Sequence, residues 1–293
     1  MSLNFQVGSA SHFPTLMKRI KSCPNTLIPD GEIDIIEENK GKYRFLTLNI
    51  RDGHPEEETG VLFIYKLSKL LTEVILDNWE FQIVYQIIKD QYYYLKEEEK
   101  NKVLLRTFNL LENSQDIYNK TIRWQRVLKK TQEYLEQNNS INLEGFINFR
   151  LKEYRNILGE AVDQAVDEFI MEREYDEFVR LLKYFVDIQD PRVDTVNVLL
   201  KKSGVFELYD GNREPIDNDY LEGFILEFID NEINYEDLLI SALITIAPRR
   251  VILHFPDQRT VRDAIKTIKN VFGDRAEECS GCQFCNEHGQ RNN

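Results

Sequence analysis

The sequence predicts an α+β protein, in which a mainly helical body is flanked by an N-terminal β-α-β-β segment and a C-terminal α/β segment. Near both ends of the chain, apolar residues alternate with polar ones in short runs, as in half-buried strands. Through the middle they recur every three to four residues, which is typical of amphipathic helices. These patterns divide the chain into segments 1–54, 55–190 and 191–277, followed by a Cys/His tail at 278–293.

The N-terminal segment is expected to fold in the order β-α-β-β. Residues 3–7 alternate like a strand, and the apolar residues between 13 and 20 follow helical spacing. Two further strands are predicted over 32–37 and 42–50, joined by a hairpin. The turn at 8–11 connects the first strand to the helix. Its backbone amides could cradle a phosphate, or its serines could simply cap the helix.

The middle segment is expected to contain long helices because glycine and proline are scarce there. Glu56–Glu58 place acids at the start of the first helix, where the helix dipole favours them, and the apolar spacing continues from Leu62 to Ile75. The further helices are predicted over 81–95, 97–111, 119–137, 143–171 and 174–188.

The C-terminal segment mixes strands and helices. A hairpin turn at 201–204 and a capping box at 219–222 provide its local signals. Strands are predicted over 194–200, 205–209 and 250–255, and helices over 235–247 and from Asp257 to Phe272. The two α/β segments could share one sheet.

Composition excludes several classes of protein. With 293 residues the chain is long enough to bury a sizeable core without disulfides. A formal charge of −13 argues against non-specific binding to nucleic acid or anionic lipid. Residues 1–10 lack the features of a signal peptide, and the longest apolar stretch, Leu238–Ala247, is too short to span a bilayer. We therefore expect a cytoplasmic protein that does not act at a membrane.

Three stretches carry a resemblance to a known family. Asn142–Tyr154, Val166–Phe169 and above all Leu181–Pro191 resemble the YtxC family of endospore-forming bacteria. The order of a small N-terminal part, a helical middle and a C-terminal Cys motif is also similar. The resemblance implies a cytoplasmic protein linked to spore formation. It brings no known reaction, substrate or catalytic residue.

The C-terminal tail contains the strongest chemical signal. Cys279, Cys282, Cys285 and His288 follow the pattern C-x2-C-x2-C-x2-H, and they are the predicted metal ligands. A tetrahedral zinc site is one interpretation. An iron–sulfur cluster is another, in which His288 or a ligand from another chain replaces the missing fourth cysteine. Redox-active thiols and an inert tail are the remaining alternatives.

A basic helix offers a second candidate site. Lys120, Arg123, Arg126 and Lys130 are the candidate residues for binding nucleic acid or an acidic partner. The alternative is a solvated helix face, or one that compensates the acidic stretch at 156–177. On a chain of this net charge the alternative is favoured, and nucleic acid is not the expected partner.

No recognisable catalytic motif accompanies these features, since the nucleophile-elbow, zincin and kinase patterns are all absent from the sequence. The leading hypothesis is a non-enzymatic, sporulation-associated protein that acts by binding a protein partner and has a C-terminal metal site. The alternatives are a zinc- or iron–sulfur-dependent enzyme or redox protein, and a nucleic-acid-binding protein that uses the helix at 119–137. The sequence does not indicate an oligomeric state.

Overall fold

The computed structural model describes residues 3–22, 27, 32–51, 57–200, 206–216, 235–254 and 262–285. They form the predicted α+β fold, with a mainly helical body and two small mixed sheets. The chain divides into two compact units, Met1–Ile170 and Met171–Asn293. The two α/β segments therefore form separate sheets, and the N-terminal one belongs to the same unit as most of the helical body.

The first unit combines a four-stranded sheet with the long helices. The strand order is β2-β3-β1-β4, in which β1 is antiparallel to β3 and parallel to β4. Its elements are β1 Leu3–Ser9, α1 Phe13–Ser22, β2 Glu32–Lys40, β3 Tyr43–Arg51, α2 Glu57–Gln91, α3 Glu97–Asn113, α4 Lys120–Gln137, β4 Ser140–Asn142, α5 Leu143–Arg150 and the beginning of α6 Lys152–Ile188.

The helix boundaries differ from the predicted ones in three places. The predicted break between the helices 143–171 and 174–188 is absent, because α6 Lys152–Ile188 is one continuous helix. Helix α2 runs without interruption for 35 residues, where two helices were predicted. The polar residues around Asn78 do not end it because Trp79 and Glu80 are themselves buried against neighbouring elements. The predicted helix 143–171 is instead divided at Leu151, whose backbone leaves the helical conformation with φ −98° and ψ 37°.

The turn between β1 and α1 contains an anion, but one that the protein supplies. Oε1 of Glu144 accepts hydrogen bonds from the backbone N–H of Ala10 at 2.9 Å and of Ser11 at 3.0 Å. The hydroxyls of Ser9 and Ser11 donate to the same oxygen. Although burial opposes ionisation, these bonds lower the pKa of Glu144. An internal carboxylate thus occupies the place of the phosphate that was one interpretation of this turn, and Ser9 accepts a hydrogen bond from the backbone N–H of His12, as the capping interpretation predicts.

The second unit contains a second four-stranded sheet, with the order β6-β5-β7-β8. Strand β5 is parallel to β7, β7 is parallel to β8, and β6 is an antiparallel edge strand. Its elements are the end of α6, β5 Thr195–Leu200, β6 Phe206–Tyr209, α7 Tyr235–Ile246, β7 Arg250–His254, α8 Arg262–Phe272, a 3-10 turn Gly273–Arg275 and β8 Ala276–Glu278. The predicted turn at 201–204, the capping box at 219–222 and the cap at Asp257 lie outside the described residues.

Alternation along the strands of this sheet positions the candidate site. Val196 and Val198 of β5, with Val251 and Leu253 of β7, pack into a core shared with α6, α7 and α8. Because successive side chains of a strand point to opposite faces, the residues between and after them point away from the helices. His254, the last residue of β7, is one of these.

Candidate metal centre

The cysteine tail is turned back onto the end of β7. The backbone N–H of Cys279 donates to the carbonyl of Leu253 at 2.9 Å, which continues the pairing of β8 with β7 by one residue. Gly281 follows with φ +107°, a conformation that favours glycine. Residues 283–285 then form a short helical turn. These features bring the three thiols together at the carboxyl end of β7.

A histidine from the sheet completes the cluster. Nδ1 of His254 lies 3.2 Å from Sγ of Cys285 and 3.6 Å from Sγ of Cys282. Sγ of Cys285 is 3.6 Å from that of Cys282 and 3.7 Å from that of Cys279. All four potential ligand atoms lie within 4.8 Å of one another. Within the part of the chain that the structure describes, this is the one group of its kind that could hold a metal ion.

The tautomer of His254 is set by Asn197 on the neighbouring strand β5. The amide nitrogen of Asn197 donates to the backbone carbonyl of Asp210 at 2.7 Å, which leaves its Oδ1 facing Nε2 of His254 at 3.0 Å. Since Oδ1 can only accept, Nε2 carries the proton. Nδ1 therefore presents its lone pair to the thiols, as a metal ligand must.

The distances agree with the dimensions of a single tetrahedral ion. Bonds of about 2.3 Å to sulfur and about 2.05 Å to nitrogen place tetrahedral sulfurs about 3.8 Å apart and a sulfur and a nitrogen about 3.6 Å apart. Two of the sulfur–sulfur distances are 3.6 and 3.7 Å, two of the nitrogen–sulfur distances are 3.2 and 3.6 Å, and the other two pairs lie within 4.8 Å. The donor set and its spacing therefore fit one zinc-sized ion.

An aromatic side chain shields the cluster from solvent on one side. Phe284 lies between two cysteines in the sequence and is buried, with its ring against Tyr209 and against His254. The guanidinium of Arg213 lies 5.3 Å from the centre of the same ring. The short helical turn thus anchors the tail by an apolar contact and leaves the thiols half-buried.

The electrostatics of the cluster favour a neutral imidazole. Burial, followed by the positive charge of Arg213, lowers the pKa of His254. Burial opposes ionisation of Cys282, but hydrogen bonds from the backbone N–H of Cys285 and from the neighbouring thiols outweigh it and lower the pKa of Cys282. Burial raises the pKa of Cys285 to about 11, and the thiols of Cys282 and Cys279 add to the effect. Without a bound cation, the thiolate of Cys282 is therefore easier to form than that of Cys285.

The predicted metal ligands are placed as follows. The structure brings Cys279, Cys282 and Cys285 together, while His288 lies outside the described residues, so its role as a ligand stays a prediction. Sequence reasoning missed His254 as a ligand. A signal was present, since His254 ends a predicted strand and the carboxyl ends of parallel strands are common places for binding sites.

The predicted basic surface loses one of its members. Arg123 is 2% exposed, because it lies on the same face of α4 as the buried Val127 and Leu135. Its guanidinium donates to Glu80 at 2.9 and 3.1 Å and to the backbone carbonyls of Leu111 and Tyr118. It is therefore unavailable to an external partner.

The other three basic residues remain on the surface. Lys120 and Arg126 are exposed, and Lys130 is half-buried with its ammonium 3.6 Å from Glu133. The basic surface is thus smaller than the sequence suggested. No helix among the described residues has the length and apolarity needed to cross a membrane.

The fold and the site together define an α+β protein in which three cysteines and one histidine, a group that could hold a metal ion, meet at the end of a parallel strand. The family model described as YtxC-like matches residues 65–277, so the chain belongs to the YtxC-like family. A relative named "Uncharacterized protein YtxC", from Bacillus subtilis (strain 168), is 27% identical over 216 residues, which cover 72% of this chain and 75% of the relative. No solved structure matches the chain significantly.

Proposed function

We propose that this chain is a metal-binding protein in which one zinc ion, held by Cys279, Cys282, Cys285 and His254, fastens the C-terminal tail to the second sheet. The observation that carries the proposal is the orientation of His254. Its Nε2 is occupied by Asn197, and its Nδ1 faces the thiols. A histidine whose far nitrogen is held by an acceptor is the usual arrangement at metal centres.

The geometry favours a single ion over an iron–sulfur cluster. In a four-iron cluster each cysteine binds a different iron, and in a two-iron cluster two ligands bind each iron, so in both the ligand atoms surround several metal and sulfide ions. Here all four ligand atoms lie within 4.8 Å of one another, which leaves room for one ion. Zinc suits a mixed sulfur and nitrogen set of this size, whereas magnesium and calcium prefer oxygen ligands.

The same geometry favours a structural role for the ion. Four protein ligands complete a tetrahedral zinc sphere, whereas catalytic zinc sites keep one position for water or substrate. The ligands come from the end of β7 and from the tail after β8, so binding would link segments 25 or more residues apart in sequence. The bound ion would supply a stable cross-link, and the protein residues would position it and limit the access of solvent.

Metal analysis of the full-length protein, purified anaerobically, tests the proposal. We expect about one zinc per chain and no visible absorption band from iron. The variants His254→Ala and Cys282→Ser should lose the metal. His288→Ala is the matched control and should retain it, since His254 already provides the fourth ligand. Loss of metal in His288→Ala with retention in His254→Ala would contradict the assignment, and absence of any bound metal would contradict the proposal.

The wider role is a separate part of the proposal. We infer that the protein acts in the cytoplasm of a spore-forming bacterium, as the resemblance to the YtxC family implies, and that it acts there by binding a protein partner. Expression in a Bacillus subtilis strain that lacks its YtxC protein tests this role. We expect a sporulation defect in that strain and its partial rescue by this chain. Unchanged spore counts after the deletion would argue against it.

A further inference from the structure

The part of α6 in the second unit has two apolar faces. One face packs into the core of the unit through Val179 and Val186, together with the partly buried Tyr175 and Leu182. The other carries a row of large apolar side chains that are 49–68% exposed. We call this row the α6 stripe, and its members are Met171, Phe178, Leu181, Tyr184, Phe185 and Ile188.

The spacing of the α6 stripe is that of a helix-pairing seam. Phe178, Leu181, Phe185 and Ile188 are separated by three, four and three residues. This is the alternation by which one helix inserts its side chains between those of another. An isolated exposed apolar residue is ordinary, but a continuous row of this size marks an interaction surface.

We propose that the α6 stripe is a dimerisation surface, on which a second copy of this chain packs its own α6 in antiparallel orientation. A two-fold pairing requires a self-complementary patch, and an apolar seam meets this condition. Pairing would remove about 420–700 Å² per copy from water, if the exposed fractions of the five members from Phe178 to Ile188 are taken of side chains of 150–250 Å². The total, about 800–1,400 Å², extends into the lower part of the range of specific interfaces.

The distribution of charge favours the antiparallel orientation. Towards its N-terminal end the face of the stripe contains the exposed acids Glu174 and Glu177, whereas from Phe178 to Ile188 it is apolar. A parallel pair would place each of these acids beside the same acid of the other copy. An antiparallel pair centred near Lys183 places Phe178 of one copy opposite Ile188 of the other, and it leaves the acids outside the apolar contact. Like charges in contact would destabilise the parallel alternative.

The mass of the full-length protein in solution, measured by sedimentation over a range of concentrations, tests the proposal. We expect a dimer whose dissociation constant rises at least tenfold in Leu181→Glu, since the substitution places a charge in the centre of the apolar contact. Leu105→Glu is the matched control, because Leu105 is a comparably exposed leucine on α3, and it should leave the dimer unchanged. A monomer at all concentrations, or a dimer equally stable in Leu181→Glu, would overturn the proposal.

A photo-crosslinking residue at position 188 tests the orientation. In the antiparallel pair the cross-linked peptide from the partner should contain residues near Phe178. Cross-links to residues near Ile188 of the partner would contradict the antiparallel arrangement. Cross-links to a different segment of the same chain, in a monomer, would show that the stripe is covered from within and would overturn the proposal as a whole.

Discussion

Two polar clusters, one in each unit, differ in the groups that pair with their polar atoms. In the first unit Glu80 accepts two hydrogen bonds from Arg123 and one, at 2.6 Å, from the hydroxyl of Tyr154. Burial, followed by the charge of Glu80, raises the pKa of Tyr154, which therefore remains a donor. In the second unit three thiols and the lone pair of an imidazole face one another. The first cluster is completed by protein atoms, whereas the second gathers four electron-pair donors that could hold a metal ion.

This difference separates a polar cluster that stabilises the fold from a cluster that could bind a metal ion. A buried charge is tolerated when an opposite charge and hydrogen bonds from the protein offset its desolvation. The cluster of Arg123, Glu80 and Tyr154 meets this condition and needs nothing external. In the second cluster the thiols and the imidazole of His254 contact one another, and a metal ion bound between them would supply the opposite charge that their thiolate forms require.

The largest effect is expected from breaking the first cluster. Arg123→Met should lower the free energy of unfolding by about 3–5 kcal/mol, because it leaves the carboxylate of Glu80 buried without its cation. Denaturant titration of the full-length protein measures this change. Arg126→Met, three residues further along α4 and exposed, is the control and should change stability by less than about 0.5 kcal/mol. Equal effects of the two substitutions would show that the buried pair does not stabilise the unit.

A smaller effect is expected from weakening the support of the second cluster. Asn197→Ala removes the acceptor at Nε2 of His254, and it should lower metal affinity about 10- to 100-fold in competition with a chelator. Asn197→Asp retains an acceptor and should restore part of the affinity. Asn270→Ala, an exposed asparagine on α8, serves as the control. If Asn197→Ala bound metal as tightly as the unmodified protein, Asn197 would have no positioning role.

The fold class was predictable because its signals are local. Alternation in 3–7 and 250–255 and helical spacing through the middle depend on neighbouring residues, and the structure confirms an α+β protein. The single helix α2 was not predicted, since burial of Glu80 by a distant arginine stabilises a polar stretch that looks like a break. That pair joins residues 43 positions apart, which no local pattern reveals.

The candidate site was predictable in part for the same reason. The three cysteines lie within seven residues, so their spacing alone predicted that their thiols would meet. His254 and Asn197 were not predicted as members of the site, since parallel pairing of β5 with β7 brings them together across 57 positions. Arg123 was predicted to lie on the surface because it is charged. Its spacing from Val127, Thr131 and Leu135 instead places it on the buried face of α4.

An intermediate loss of stability is expected at the turn that Glu144 occupies. Because the pKa of Glu144 is lowered in the folded protein, its contribution is fully present above the ordinary glutamate pKa of about 4.3 and is lost as the pH falls below it. Glu144→Gln should cost about 1 kcal/mol at pH 7. The cost should shrink towards pH 3, as measured by thermal unfolding at each pH. A cost independent of pH would show that the charge of Glu144 is unimportant.

The smallest effect is expected from the basic residues left on the surface. Lys120→Ala and Lys130→Ala should each change stability by less than about 0.5 kcal/mol. Because Arg123 is buried, we also expect no binding to duplex or single-stranded nucleic acid at low salt. A fluorescence anisotropy titration measures this binding. Affinity that falls steeply with salt, and that the two substitutions weaken, would restore the nucleic-acid hypothesis.

The comparison of the two clusters depends most directly on what the second one binds. X-ray absorption at the metal edge of the full-length protein, purified anaerobically, measures the ligand atoms and their distances. One zinc with three sulfurs at about 2.3 Å and one nitrogen at about 2.0 Å is the predicted result. A sphere of oxygen ligands, a shell of neighbouring iron atoms, or a signal unchanged in the variant His254→Ala would contradict it.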